Sequence, residues 1–225
     1  MLDIEEKLKR IEEISKNYYD EATILIFVFI DYLMGFIEIE GIKDKKNSNK
    51  VSYRKFLVEY SGYKEDFTAI QVDKVYYDCQ NCNEKREKYS AYLDTMSSSL
   101  EKSKHGDEIH LSEILKYDEI LERDKKYFCD FTVANLFYEY RCDAVHNYKV
   151  HRFLGNEKLI KPYIAYTGQM NEKYDGYFSS RIPLCFIISV ARNLYNYVND
   201  EVKALLENPS IEEEWDMPDF GIYIV

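Results

Sequence analysis

Turn-forming residues are scarce in this chain. Only 8 Gly and 4 Pro occur in 225 residues, too few for a fold of many short strands and tight turns, so long helices are expected. Cysteine is sparse and odd in number. Of the 5 cysteines, Cys129, Cys142 and Cys185 fall in apolar helical patterns, which speaks against a disulfide framework and for a reducing, cytoplasmic setting. A bilayer-crossing segment is missing too. Residues 22 to 39 form the most apolar stretch, but Asp31 interrupts it, and it falls short of the roughly 20 residues that a span needs. A buried core helix is the better reading. The N-terminal MLDIEEKLKR is acidic and amphipathic, unlike a signal peptide. Positive charge is in deficit: the net charge of −11 works against non-specific nucleic-acid binding by the whole surface.

Hydrophobic residues make up 46% of the chain and charged residues 32%. That is enough apolar material for one domain over residues 1–225. The 22 tyrosines read as a codon bias toward Tyr, Ile, Lys and Asn rather than as stacking platforms for bases. Charge is segregated. Arg141, Lys149, Arg152, Lys158, Lys161 and Lys173 outnumber the acids among them, and residues 43 to 64 also lean basic.

The periodicity predicts helices over residues 3–18 and 20–39, a short one from Ser48 or Asn49 to Tyr60 stopped by Gly62, and a long helical stretch over 66–102 with a break near Gln80 to Asn83. Residues 84–102 are polar and are expected to project into solvent. After a loop at 103–107, Ser112 caps a short helix to Leu121. Residues 126–149 form one long helix with a wide apolar face. Extended segments at 160–168 and 174–182 flank a polar turn and predict a β-hairpin. Pro183 opens the last long helix, to about residue 206. The expected fold is therefore all-α, a helical bundle with a small β-hairpin insertion before the last long helix. Its motif-bearing core is 126–206, its N-terminal helices fill 1–110, and an acidic then apolar tail covers 210–225.

The run Arg141-Cys142-Asp143-Ala144-Val145-His146-Asn147-Tyr148 carries the chemistry. It sets a permanent cation and a histidine on a helix apolar enough to be buried, which is costly unless the groups are paired. At about 100° and 1.5 Å per residue, Arg141 and His146 point about 140° apart, while Tyr148 falls nearly in line with Arg141. Asp143 lies three residues before His146, within reach to orient the imidazole. A splayed Arg and His suit a site built by two copies of the helix around one phosphate. The imidazole can remove a proton from a ribose 2′-hydroxyl, and the guanidinium fork can hold the phosphate oxygens. With the 2′-hydroxyl as nucleophile no metal is needed, and RNA but not DNA would be cut. The bland alternative is a structural Arg and His bonded to nearby carbonyls or to Glu139.

At NLFYEYRCDAVHNY the chain resembles the HEPN superfamily, all-α proteins with an Arg-(four to six)-His motif on a late bundle helix. Many are dimeric, metal-independent ribonucleases of toxin–antitoxin, abortive-infection and CRISPR defence systems. One toxin branch carries Arg, four residues, His, any residue, Tyr, as here at Arg141, His146 and Tyr148. In that branch a nucleotidyltransferase antitoxin modifies the tyrosine. The resemblance covers about residues 126–206. It implies a cytoplasmic homodimer without cofactor that cuts RNA to 2′,3′-cyclic phosphates. Arg141 and His146 would be catalytic by the resemblance, while Asp143 as the orienting acid rests on its helical spacing alone. Tyr148, Asn147, Lys149 and Arg152 would position RNA, Tyr148 doubling as a modification site. Family members often carry Asn, Asp or His directly after the arginine, where this chain has Cys142. The alternative within the resemblance is a non-catalytic HEPN scaffold that binds a nucleotide or a nucleotidyltransferase partner.

Other residues invite weaker readings. Cys79 and Cys82 with His105 and His110 have the pair spacings of a zinc site, but the spacer between the pairs is longer than the usual dozen or so residues. Asp31 in its apolar helix is a candidate buried partner for Arg141 or Arg192. His151 reads as a solvated or C-capping residue. Arg181, Arg192 and Asn193 flank the last helix, where surface salt bridges are the simpler expectation.

Overall fold

The structure is a computed structural model and describes residues 4–35, 48–105, 107, 109–150, 160–167 and 177–207. It is mostly helical, with one small antiparallel sheet. The first helices follow the apolar periodicity: α1 is Ile4–Ser15, α2 is Tyr19–Met34 and α3 is Ser48–Tyr60. Gly62 ends the α3 turn at φ 76°, and a Cβ there would stand 3.1 Å from Asn193 Nδ2. Both the left-handed backbone and the close approach require glycine. The same amide nitrogen donates to the Ser61 carbonyl at 2.9 Å.

The predicted 66–102 stretch is four helices: α4 (Lys64–Thr68), α5 (Val72–Gln80), α6 (Asn83–Lys88) and α7 (Ser90–Lys104). The break near Gln80 lies where the sequence placed it. A second break at residues 69–71 does not follow from local pattern. There the backbone is extended and bonded across the chain. Ile70 N–H donates to Leu115 O at 2.9 Å, Gln71 N–H to Phe131 O at 2.7 Å, and Ala69 O accepts from Val133 N–H at 2.8 Å. The expectation that residues 84–102 project into solvent is also corrected, because Leu93, Met96 and Leu100 are buried. Ser103, expected in a loop, ends this helix buried and donates to Ile164 O at 3.3 Å.

The short helix predicted from Ser112 is two 3-10 turns, Leu111–Glu113 and Tyr117–Glu119. Ser112 Oγ donates to the buried Asp66 carboxylate at 2.9 Å instead of capping. The long helix predicted over 126–149 is likewise divided into α8 (Lys125–Phe128), a 3-10 turn at Cys129–Phe131, and α9 (Val133–Asn147). Thr132 is extended and caps α9 by accepting from Asn135 N–H at 3.4 Å. Its bridge to Ile70 takes the backbone that a continuous helix would need, so tertiary pairing overrides the apolar period.

The predicted hairpin is present as β2 (Tyr163–Thr167) and β3 (Tyr177–Arg181). A two-residue strand, β1 (Ile109–His110), joins β2 on its other side, an element the sequence did not announce. The register pairs Tyr163 with Arg181 and Thr167 with Tyr177. Asp73 on α5 anchors β3 by accepting from Ser180 N–H at 2.9 Å and from the Ser180 hydroxyl. The last helix, α10 (Leu184–Glu207), starts directly after Pro183, whose carbonyl accepts from Phe186 N–H at 3.0 Å.

The core is a run of phenylalanines that locks helices from distant parts of the chain. Phe27 of α2 meets Phe137 of α9 edge-on at 5.2 Å, Phe137 meets Phe67 of α4 at 5.3 Å, and Phe67 meets Phe186 of α10 at 5.7 Å. All four side chains are fully buried, each worth about 1.5–3 kcal/mol of apolar transfer. This packing sets the register between α2 and α9.

Candidate functional site

One turn beyond Phe27 on α2 stands Asp31, and one turn beyond Phe137 on α9 stands Arg141. The same four-residue step on both helices brings their side chains together. Arg141 Nε lies 3.1 and 3.0 Å from the two Asp31 oxygens, and Nη2 lies 2.5 Å from Oδ2. This is a bidentate pair along the Nε–Nη2 edge of the guanidinium. The two side chains are 19% and 26% exposed, so the pair is half sunk and opens to solvent on one side. Burial alone would lower the Arg141 pKa, and the Asp31 carboxylate outweighs it and raises the value above its ordinary one.

Arg141 Nη1 lies 2.8 Å from His146 Nε2. Arginine only donates, so in this contact Nε2 stands as the acceptor. The expectation that one copy splays these residues apart is corrected. Their Cα–Cβ directions diverge by about 140°, but the long arginine side chain runs along the helix and closes the gap. His146 itself is exposed. The imidazole thus sits at the rim and the guanidinium beneath it.

Two tyrosines complete the floor. Tyr53 of α3, 2% exposed, places its ring 6.0 Å from the Arg141 Cζ and packs edge-on against Tyr138 at 5.5 Å. Tyr138, four residues before Cys142, hydrogen-bonds with its thiol; burial and then that bond raise the Tyr138 pKa. Cys142 Sγ in turn lies 3.9 Å from Arg141 Nη1. Sequence reasoning missed both tyrosines, since among 22 of them nothing local marks these two. It did single out Asp31, and of the two cations considered the structure gives it Arg141. Arg192 pairs with Glu12 instead.

The other residues of the run occupy the helix end. Asn147 Nδ2 donates to Asp143 Oδ1 at 3.1 Å, and the Asp143 carbonyl accepts from Lys149 N–H at 3.0 Å. The carboxylate on the guanidinium is therefore Asp31, and Asp143 faces Asn147. Tyr148 ends α9 at φ 51°, ψ 29°, and is the one non-glycine residue with positive φ among those described. Its side chain is 80% exposed. A bulky residue held left-handed and presented to solvent is a strained position of the kind that gathers at functional sites. Lys149 is exposed beside it. Arg152 and His151 lie outside the described residues.

The basic stretch at 43–64 does not converge on Arg141 where it is described. Lys50 and Arg54 reach Asp130 at 3.2 and 3.5 Å. Arg181 donates to Thr167 at 3.2 Å. Glu139 accepts from Lys74 and from Asn135 rather than from Arg141 or His146. The zinc reading is not supported: among the described residues no three His, Cys, Asp or Glu side chains are grouped to hold a metal ion. Cys79 is buried, with its sulfur 3.5 Å from the Tyr127 hydroxyl. No helix among the described residues is long and apolar enough to cross a membrane. Comparison with family models, with curated proteins and with solved structures finds no match to this chain.

Proposed function

We propose that the chain is an HEPN-type endoribonuclease that cuts RNA by attack of the ribose 2′-hydroxyl. The observation that carries the reading is the Arg141–His146 contact at 2.8 Å, set at the rim of a half-buried site and backed by Asp31. Asp31 takes the Nε–Nη2 edge and leaves the Nη1–Nη2 end of the guanidinium toward His146 and solvent. A phosphodiester that engages this end displaces His146 Nε2 from Nη1. The lone pair so released lies beside the bound phosphate, where it can accept the 2′-hydroxyl proton. The 2′-oxygen then attacks phosphorus, the 5′-oxygen leaves with a proton, and the products are a 2′,3′-cyclic phosphate and a 5′-hydroxyl. Arg141 stabilises the charge on the phosphorane. Tyr148 and Lys149, exposed at the helix end, would contact the RNA.

The resemblance also supports a homodimer, in which the imidazole of a second copy would protonate the leaving oxygen. One chain already joins Arg141 to His146, so a single copy presents both groups to one phosphate. Toxin–antitoxin or anti-phage defence is the setting the resemblance suggests, with Tyr148 accessible to a modifying nucleotidyltransferase. Asp31 favours a second reading. A carboxylate on the guanidinium neutralises the cation that a phosphate needs, as expected of a non-catalytic HEPN scaffold.

Incubation of the purified chain with total RNA and a chelator separates the two. Cleavage by the native protein that disappears in His146→Ala and Arg141→Ala supports the nuclease. Equal cleavage by all three removes it, and no cleavage with a stably co-purifying partner supports the scaffold.

A further inference from the structure

The Tyr53 hydroxyl is buried and has no hydrogen-bond partner among the described residues. A buried phenol normally finds one, and leaving it unpaired costs about 1–3 kcal/mol. This orphan donor stands under the candidate site, with its ring 6.0 Å from Arg141 Cζ. Burial pushes the Tyr53 pKa well up, and the strongest charge acting on it is the Asp31 carboxylate, ahead of Arg141. The hydroxyl therefore holds its proton, and the Asp31–Arg141 pair beside its ring does not use it.

The ion pair has a conflict to resolve when substrate arrives. Arg141 gives Nε–H and one Nη2–H to Asp31 and one Nη1–H to His146. A phosphate on the remaining end would pull on the guanidinium and would add a negative charge near the Asp31 carboxylate. That carboxylate then needs another donor, because a half-buried anion that loses its hydrogen bonds is destabilised. Tyr53 carries an unspent donor on a ring that packs beside the same guanidinium.

We propose that Tyr53 is a positioning residue whose hydroxyl takes over the Asp31 carboxylate when a phosphate engages Arg141. In the free protein Asp31 holds the guanidinium; in the complex it is shared with, or handed to, Tyr53. The orphan hydroxyl is the cost, in the free state, of stabilising the bound state. The proposal rests on the ribonuclease reading above.

The test is a double-mutant cycle read by RNA binding, since coupling between two side chains is what the cycle isolates. The probe is a fluorescent RNA oligonucleotide with 2′-fluoro sugars throughout, which lacks the 2′-hydroxyl nucleophile and binds without reacting. Tyr53→Phe is expected to lower its affinity about ten- to a hundredfold, the worth of one hydrogen bond to a charged group. The same variant should unfold at an equal or higher temperature, because an unpaired buried hydroxyl is gone. In an Asp31→Asn background, Tyr53→Phe should change the affinity less than twofold. Unchanged affinity on Tyr53→Phe, or an equal loss in both backgrounds, overturns the proposal. If binding depends on Arg141 yet ignores Tyr53, the ribonuclease reading survives and only this inference fails. If the native protein binds no oligonucleotide, both fall.

Discussion

Asp31 and Arg141 lie 110 positions apart in the sequence and share two hydrogen-bonded guanidinium nitrogens. Each stands one helical turn beyond a partner of the Phe27–Phe137 contact, at 5.2 Å. Ring packing in the core thus fixes the alignment of α2 on α9, and the alignment delivers a carboxylate to the arginine. The chemistry at the rim is positioned by aromatic contacts that take no part in it.

Removing one partner of this pair should be costly. Arg141→Ala leaves a half-buried carboxylate without its donors and is expected to destabilise the fold by about 1–3 kcal/mol. Asp31→Asn combined with Arg141→Ala should recover part of that loss. Urea unfolding at constant slope measures both, and strictly additive single losses would show that the pair contributes no coupling.

His146 is exposed and accepts one bond from a neighbour on its own helix. His146→Ala should shift stability by no more than about 0.5 kcal/mol while abolishing cleavage. A thermal melt beside an RNA-cleavage assay separates the two. A large drop in melting temperature would make the histidine a structural residue.

Tyr148 adopts a left-handed backbone that glycine adopts without strain. Tyr148→Gly should therefore stabilise the chain, or cost nothing, by up to about 1 kcal/mol in its favour. It should weaken RNA binding at the same time. A fall in melting temperature would place the ring in a packing role that its exposure does not suggest.

A pH effect is expected away from the site. Asp78 accepts from Lys85 at 2.7 Å and from the Tyr127 hydroxyl at 2.5 Å. The Lys85 bond, then the Tyr127 bond, holds its pKa below the ordinary 3.8. A carboxylate depressed by folding contributes stability that is present above its unfolded pKa and is lost as pH falls through the folded one. The difference in urea midpoint between native protein and Asp78→Asn should be constant from pH 7 to about 5 and should vanish at still lower pH. A difference independent of pH would mean that shape, not charge, is lost in the variant.

The residue types of the site were legible in the sequence, and their contact was not. A helical wheel tracks where Cβ points, and by that measure Arg141 and His146 diverge. An arginine side chain reaches far enough to cancel the divergence, so the pair forms within one chain. Asp31 was legible as a charge out of place in an apolar helix, but only the α2–α9 register could choose Arg141 over Arg192 for it. Helices bounded by local signals, α3 at its end by Gly62 and α10 at its start by Pro183, lie where the pattern put them. The break at Thr132 does not announce itself, because Phe128, Phe131 and Val133 keep the apolar spacing through it and the extended backbone comes from pairing with Ile70. Leu93, Met96 and Leu100 already had helical spacing. The polar residues around them hid a stripe that packs against α5 and β2.

The most direct test of 2′-hydroxyl attack uses an RNA oligonucleotide that the native protein cleaves at one mapped bond. Replacing the single 2′-hydroxyl on the 5′ side of that bond by hydrogen, in the presence of chelator, should stop cleavage there, and the unmodified RNA should yield a 2′,3′-cyclic phosphate terminus. Cleavage of the 2′-deoxy substrate at the same bond, or product ending in a 5′-phosphate, would contradict the Arg141–His146 mechanism.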